Sequence, residues 1–557
     1  MTLSTASFPG GKLAHAFQLS LLWRRQDAFT KRTLELVEEC ADVIGGDAVL
    51  ETLLAIATEP DNLFNADHLD RWLQPLPMYE RDIEWSTRAT HIAVDGDGDG
   101  AIETLIEWVL ANGLEPIELP RARLVAITLA WLTSLSHRWV RDMATKALAT
   151  LLVNRRELAA QMIEKFANVD DAYVVDRVLA AAYGAATRNS SDDGLAELAR
   201  VAFAAVFTND RPPTHALVRD HARGIVELAA SRGVLPADIS LDCARPPYPG
   251  GRVLETVTEE TLGTYVQNYG GSLLRDEICS SAVEDGDFAR YKIDNLAGDF
   301  LLLPRSEHGR SMREIYDSWY LEAIKPHPAR TKAFEQVLEI AARTNSMPTG
   351  LSLFLRQAHD EAKKLMEARR ASEKKRDATI SEFERLLDEG EIEEFRIRAA
   401  GFVRGRMWDE RAVAGHPTYA GDRSRHWVAW RAHELGWTPE RFAEFDREMA
   451  GHDRNEHRVE RIGKKYQWIA YHEMTGRLSD TSLVGGNYQD DPELFRGPWQ
   501  VGSREMDPTI LVTRTKQRDS DRQGPTWWSP HFSRWRDDPP ESRIASRVDG
   551  GSIARRA

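Results

Sequence analysis

Apolar side chains recur along this chain at the helical period. In residues 139–152 the apolar positions are Trp139, Val140, Met143, Ala144, Ala147, Leu148, Leu151 and Leu152. Pairs recurring every three to four residues make one continuous face of an amphipathic helix. Val174, Val175, Val178, Leu179, Ala182, Tyr183 and Ala186 repeat the phase, and Leu217, Val218, Ala222, Ile225, Val226 and Ala229 repeat it more briefly. An acid follows the first apolar pair each time, at Asp142, Asp176 and Asp220, 34 and 44 residues apart. Each helix is preceded by another amphipathic stretch, at about 124–135, 158–166 and 195–207. Helix–turn–helix pairs at this interval predict an α-solenoid, in which each pair hides its apolar face on its neighbours. An irregular helical bundle is the alternative, because degenerate copies arise in any large helical domain.

The sequence predicts an all-α chain in six stretches. Residues 1–70 form an N-terminal helical segment. Residues 71–250 hold the repeats, and Val140-Arg141-Asp142 with Ala144, Ala147 and Leu148 looks like the second helix of a HEAT-type repeat. Arg245-Pro-Pro-Tyr-Pro-Gly-Gly251 cannot continue a helix and ends the array. Residues 251–355 mix helices and loops around short apolar groups such as Phe300-Leu-Leu-Leu-Pro304. Residues 356–400 carry a charged helix whose opposite charges fall at i,i+4; a plain exposed helix is favoured there over a lever between modules. Residues 401–480 are an aromatic-rich helical module, with Thr438-Pro439 as a helix start. From 481 to 557 the chain is rich in Gly and Pro and ends in a tail expected to be disordered.

The chain has 557 residues and a formal net charge of −15. That balance argues against coating nucleic acid, which needs a basic face. Cys40, Cys243 and Cys279 lie far apart, which excludes a disulfide scaffold and fits a reducing cytosol. No apolar run approaches the ~18 residues of a membrane span, and the first residues lack a signal-peptide pattern. The expectation is a cytoplasmic protein that binds neither nucleic acid nor membrane.

Candidate chemistry is sparse. Asp95, Asp97 and Asp99, with Gly100 and Ile102, match the first eight positions of an EF-hand calcium loop, but position 12 is Ile106 and the acid Glu107 comes one residue late. The alternative is a loop that caps the helix starting near Ala101. Gly10-Gly11-Lys12 and Gly463-Lys464-Lys465 each lack the earlier glycine and the following Ser/Thr of a P-loop. His433-Glu434 and His472-Glu473 lack the second histidine of a zinc-protease helix. No cofactor is expected. Trp427, Trp430, Trp437, Phe442 and Phe445 read as core, whereas Trp527, Trp528, Phe532 and Trp535 sit in a poor helix-forming stretch. Tyr466, Trp468 and Tyr471 follow the first group, and aromatics with arginines favour protein–protein hot spots.

Several strings together resemble a known family: Met78-Tyr-Glu-Arg-Asp-Ile-Glu-Trp-Ser86, Arg138-Trp-Val-Arg-Asp-Met-Ala-Thr-Lys-Ala-Leu148, Leu217-Val-Arg-Asp-His-Ala-Arg-Gly-Ile-Val-Glu227, Gly286-Asp-Phe-Ala-Arg290, Arg461-Ile-Gly-Lys-Lys-Tyr-Gln-Trp-Ile-Ala470, and Gly497-Pro-Trp-Gln500 with Asp507-Pro-Thr509. Their order over about 70–535 resembles the C-terminal helical-repeat region of bacterial antiviral STAND NTPases of the AVAST type. In that family, the resemblance implies, an effector and a P-loop NTPase precede repeats that sense a phage protein. This chain has neither the effector nor the P-loop. The expected role is therefore a non-catalytic sensor region that takes a protein ligand, such as a phage protein, and works with a separate NTPase or effector subunit. Binding is expected on the concave repeat surface and around 458–477, with Tyr466, Trp468 and Arg477 as anchors. Three other readings stay open: a scaffold for a constitutive partner, an enzyme with a deep polar pocket in 252–355, and a non-functional remnant that folds poorly.

Overall fold

The computed structural model describes residues 11–509, apart from 23, 25, 96–99, 209–210, 269–276, 285, 348–358, 405–415, 452–458, 486–491 and 503–505. The periodicity becomes three helix pairs. The leading helices are Leu119–Leu132, Arg156–Phe166 and Leu195–Phe207; the second helices are Arg138–Leu152, Ala172–Arg188 and Ala216–Ser231. Each second helix packs on its own leading helix, and consecutive second helices pack on one another. One continuous core results, running from Leu50 to Tyr248. The fold is all-α and solenoid-like, as the apolar pattern predicts.

The second helices begin alike. His137, Asp171 and His215 cap them, accepting hydrogen bonds from the backbone N–H groups of Val140, Tyr173 and Val218. Each cap lies five residues before Asp142, Asp176 or Asp220. A side-chain acceptor at the cap satisfies a helix-start N–H that has no partner inside the helix.

The remaining cores do not follow the linear divisions at 355 and 400. A separate small core closes the N-terminal helices around Phe17, Leu36, Cys40 and Phe64. Leu254, Ile278, Phe288 and Phe300 share another core with Trp427, Trp437, Phe442, Tyr466 and Met474, so 251–300 and 419–484 are one body. Between them in sequence, Trp319, Phe334, Val337, Ile380, Phe383, Phe395 and Val403 form a core of their own. Phe300–Pro304, within the stretch expected to be helices and loops, is instead a strand. It pairs antiparallel with Ser482–Val484, with Phe300 opposite Val484. Trp427, Trp437 and Phe442 are fully buried, as the core reading expects.

The charged stretch is two helices, His359–Glu384 and Glu389–Arg398. Ile380, Phe383 and Phe395 bury into the local core while their charged neighbours face outward. Asp388 separates the two helices. Its carboxylate accepts from Glu391 N at 2.8 Å, and the Glu391 carboxylate accepts from Asp388 N at 3.0 Å. Asp388→Ala removes this capping box. It is expected to lower the stability of the 316–403 core by about 1 kcal/mol, seen as a lower urea midpoint for proteolytic cleavage within that core.

Among the described residues, no helix is long and apolar enough to cross a membrane. Residues 510–557, including Trp527, Trp528, Phe532 and Trp535, lie outside the described residues.

Candidate functional site

The polar side of the second helices is buried, not solvated. Arg141, Asp142, Lys146, Asp176, Arg177, Arg219, Asp220, His221 and Arg223 are all at most 9% exposed. Their charges link one repeat to the next. Arg177 donates to Asp142 at 3.0 Å across 35 residues, and His221 Nδ1 meets Asp176 at 2.8 Å across 45. Burial alone would push the Asp176 carboxyl up, but His221 and Arg177 hold it below its ordinary value. Asp142 and Asp176 thus serve as ladder rungs between helices, whereas Asp220 pairs with Arg223 on its own helix.

Two later segments cover this face. The first is the closing helix Ile462–Thr481, most of whose residues are buried. Lys465, with no exposed side-chain surface, donates to Asp82 Oδ1 and Asp171 Oδ2, both at 2.7 Å. Asp171 is also the cap of the middle second helix, and Arg81 stands 3.8 Å from it. Farther along, Arg219 bonds Asp480 at 3.0 Å and the rings of His215 and His472 lie 5.1 Å apart. Gly476 lets the helix approach closely, because a Cβ there would overlap the Thr214 carbonyl. Just before the helix, Glu460 lies 3.4 Å from Arg141.

The second covering segment, hereafter the strap, comprises residues 492–502 and 506–509. Arg223 donates to the Arg496 carbonyl, Lys146 to the Asp507 carbonyl, and Arg188 to the Pro508 carbonyl at 3.4 Å. Arg177 lies 3.3 Å from Met506 Sδ. Burial pushes Lys146 down to about 8 and Arg188 down to about 10, while the Asp507 charge opposes both shifts.

Of the residues expected to anchor a partner, Tyr466 is held inside the molecule and Trp468 and Arg477 are partly buried. Tyr466 is completely enclosed; burial and the neighbouring Asp82 carboxylate push its phenol well above the ordinary value. It is a core residue rather than a surface anchor, because the closing helix is seated against the body on nearly every side. Trp468 is half-buried, packed edge-on to Phe288 at 4.9 Å and stacked on His472 at 6.0 Å. Arg477 bonds Glu255 at 2.6 Å and lies over the Trp427 ring at 5.1 Å. The polar face of the second helices is covered by later parts of the same chain. Of the calcium candidates, Asp97, Asp99 and the side chain of Asp95 lie outside the described residues. Among the described residues, no group of three or more His, Cys, Asp or Glu side chains is arranged to hold a metal ion.

A cavity of about 450 Å³ opens beside the 316–403 core, lined among others by Glu307, Trp319, Glu322, Asp388, Glu394 and Arg398. Its acids meet arginines: Glu307 pairs with Arg310 and Arg398, and Glu394 with Arg398.

Sequence reasoning missed Lys465, the three caps and the strap contacts. The spacing of His137, Asp171 and His215 from the repeated acids carried a signal for the caps. Comparison of the chain with family models, with curated proteins and with solved structures finds no significant match in any of the three.

Proposed function

We propose that this chain is a protein-recognition region, the sensor part of a STAND-type anti-phage defence protein, without catalytic activity of its own. One observation carries the reading: the second-helix face engages peptide backbone. Cations on three successive repeats point at the main-chain carbonyls of Arg496, Asp507 and Pro508, which lie outside any helix. Rigid helices that present charge-assisted donors to carbonyls have the chemistry of a protein-binding surface. The class of ligand, a phage protein, and a separate NTPase or effector subunit come from the sequence resemblance.

The test is co-expression of the full chain with each protein of a phage genome in turn, followed by affinity purification. The expected result is retention of one defined phage protein, reduced about tenfold or more by Arg223→Ala, a loss of ~1.4 kcal/mol. Retention of a constitutive host protein from uninfected cells, with every phage protein washed away, would instead establish a scaffold.

A further inference from the structure

The cavity beside the 316–403 core joins an apolar wall to an unequal set of charges. Trp319, Ile324 and Leu387 give the apolar side, and five carboxylates face two guanidinium groups in the rest of the lining. Its volume of about 450 Å³ is that of a small-ligand site, where apolar walls carry a few placed polar groups.

Three of the five acids have their cations. Glu307, 7% exposed, pairs with Arg310 at 2.6 Å and with Arg398 at 2.5 Å. Glu394 shares Arg398, and Glu391 is held at 2.7 Å by Arg330, which stands behind the lining. The other two have none among the described residues. The Asp388 carboxylate accepts only from the Glu391 backbone N–H, at 2.8 Å, and Glu322 makes no hydrogen bond or ion pair. Two carboxylates without counter-ions in one cleft focus a negative field on whatever enters it.

Trp319 adds a donor to the same space. It is 5% exposed, with its ring 5.3 Å from Phe334 and 5.7 Å from Phe395. Its Nε1–H makes no hydrogen bond among the described residues, yet the nitrogen is not sealed in the core, so it points to the cavity that Trp319 lines. An indole N–H donates and never accepts, and a desolvated donor without a partner is costly. The chain continues from Trp319 into a π-helical turn, Tyr320–Ile324, which sets Glu322 in the same lining.

We propose that this cavity binds a small organic cation that carries a hydrogen-bond acceptor, the chemistry of an arginine residue: a guanidinium group between Glu322 and Asp388, and an amide carbonyl at Trp319 Nε1. Guanidinium suits paired carboxylates because its planar fork offers five N–H donors and is weakly hydrated. The same chemistry is found in a free arginine derivative and in an arginine of an exposed peptide. The inference goes beyond the protein-recognition reading and does not rest on it, since the 316–403 core is separate from that of the repeats.

The test is calorimetric titration of the full chain, near neutral pH, with N-acetyl-argininamide, N-acetyl-citrullinamide and butylguanidine. Citrulline replaces the guanidinium by a neutral urea of the same shape; butylguanidine keeps the cation and lacks the carbonyl. Argininamide is expected to bind saturably and citrullinamide at least about tenfold more weakly, having lost its charge-assisted bonds. Glu322→Gln alters an exposed side chain that the fold does not use, and is expected to weaken both guanidinium compounds several-fold. Trp319→Phe is expected to bring argininamide down to the affinity of butylguanidine and to leave butylguanidine unchanged, a split that mere loosening of the core does not produce. If Trp319→Phe does not fold, Glu322→Gln decides. A tripeptide with arginine between two glycines, bound at least as tightly as argininamide, assigns the site to a partner's side chain; its rejection assigns the site to the free compound. No saturable binding of argininamide at millimolar concentration, equal binding of citrullinamide, or indifference to Glu322→Gln overturns the proposal. That failure leaves the recognition reading standing, and a co-expression test that retains no phage protein leaves this site standing.

Discussion

Lys465→Met is expected to lower the unfolding free energy by about 3–5 kcal/mol at pH 8, the usual cost of removing one partner from a buried ion pair. Methionine keeps the length of the side chain, so packing is nearly conserved and the loss is electrostatic. Asp171 then keeps Arg81, 3.8 Å away, while the Asp82 carboxylate loses its ammonium partner at a site with no exposed side-chain surface. Burial already pushes Asp82 above its ordinary value, with Lys465 opposing that shift. Removing Lys465 raises Asp82 further, so the variant recovers stability by taking up a proton as pH falls. Its deficit against wild type is therefore expected to shrink towards acid pH. Adding Asp82→Asn removes the stranded charge and keeps an acceptor for Ser86, which bonds Asp82 at 2.7 Å. The double variant is expected to regain most of the loss in urea unfolding followed by tryptophan fluorescence. If Lys465→Met unfolds at the wild-type urea concentration, the lysine does not hold the closing helix to the repeats.

The contrast between legible and hidden features follows from what periodicity measures. The second helices bury one apolar stripe, so Val140, Ala144, Ala147 and Leu151 mark their phase in the sequence. The closing helix does not bury a stripe. Tyr466, Ile469 and Met474 sink into one core, while Lys465, Gln467, His472, Thr475 and Asp480 are buried too, most of them through hydrogen bonds or ion pairs. A helix enclosed on nearly every side, using polar residues as partners, shows no amphipathic rhythm. Asp142, Asp176 and Asp220 are visible as a repeated mark, but the use of Asp142 and Asp176 as rungs depends on Arg177 and His221 in the following repeat.

The interleaved cores were hidden for a different reason. Insertion of 316–403 between the halves of the aromatic-rich body leaves no compositional mark, because each part is ordinary helix. The Phe300–Pro304 strand was obscured by its leucines, which are good helix formers. Tertiary pairing with Ser482–Val484 overrides that preference.

Asp446 supplies the second large effect, through pH. Its carboxyl is fully buried at the start of the closing helix, accepting from Trp437 Nε1 at 3.1 Å and from Gly463 N at 3.1 Å. Burial pushes it from the ordinary 3.8 to about 7, against the opposing pull of the Trp437 bond, Arg461 and the backbone N–H groups. The folded protein therefore binds a proton that the unfolded chain has released. Stability is greatest below about pH 4 for this group and falls as pH rises through about 7, by about 4 kcal/mol in all. Asn in place of Asp keeps the acceptor oxygen for Trp437 and Gly463 but cannot ionise. Asp446→Asn is expected to match the wild type below about pH 4 and to exceed it by several kcal/mol at pH 8, with the gap opening between those values. Because Asp446 holds the helix two residues before Lys465, deprotonation is expected to loosen that end first, seen as faster hydrogen exchange at Gly463 in the wild type at pH 8 and not in the variant. A constant stability gap across this range, or equal exchange in both proteins, would show that Asp446 is ionised and well solvated throughout.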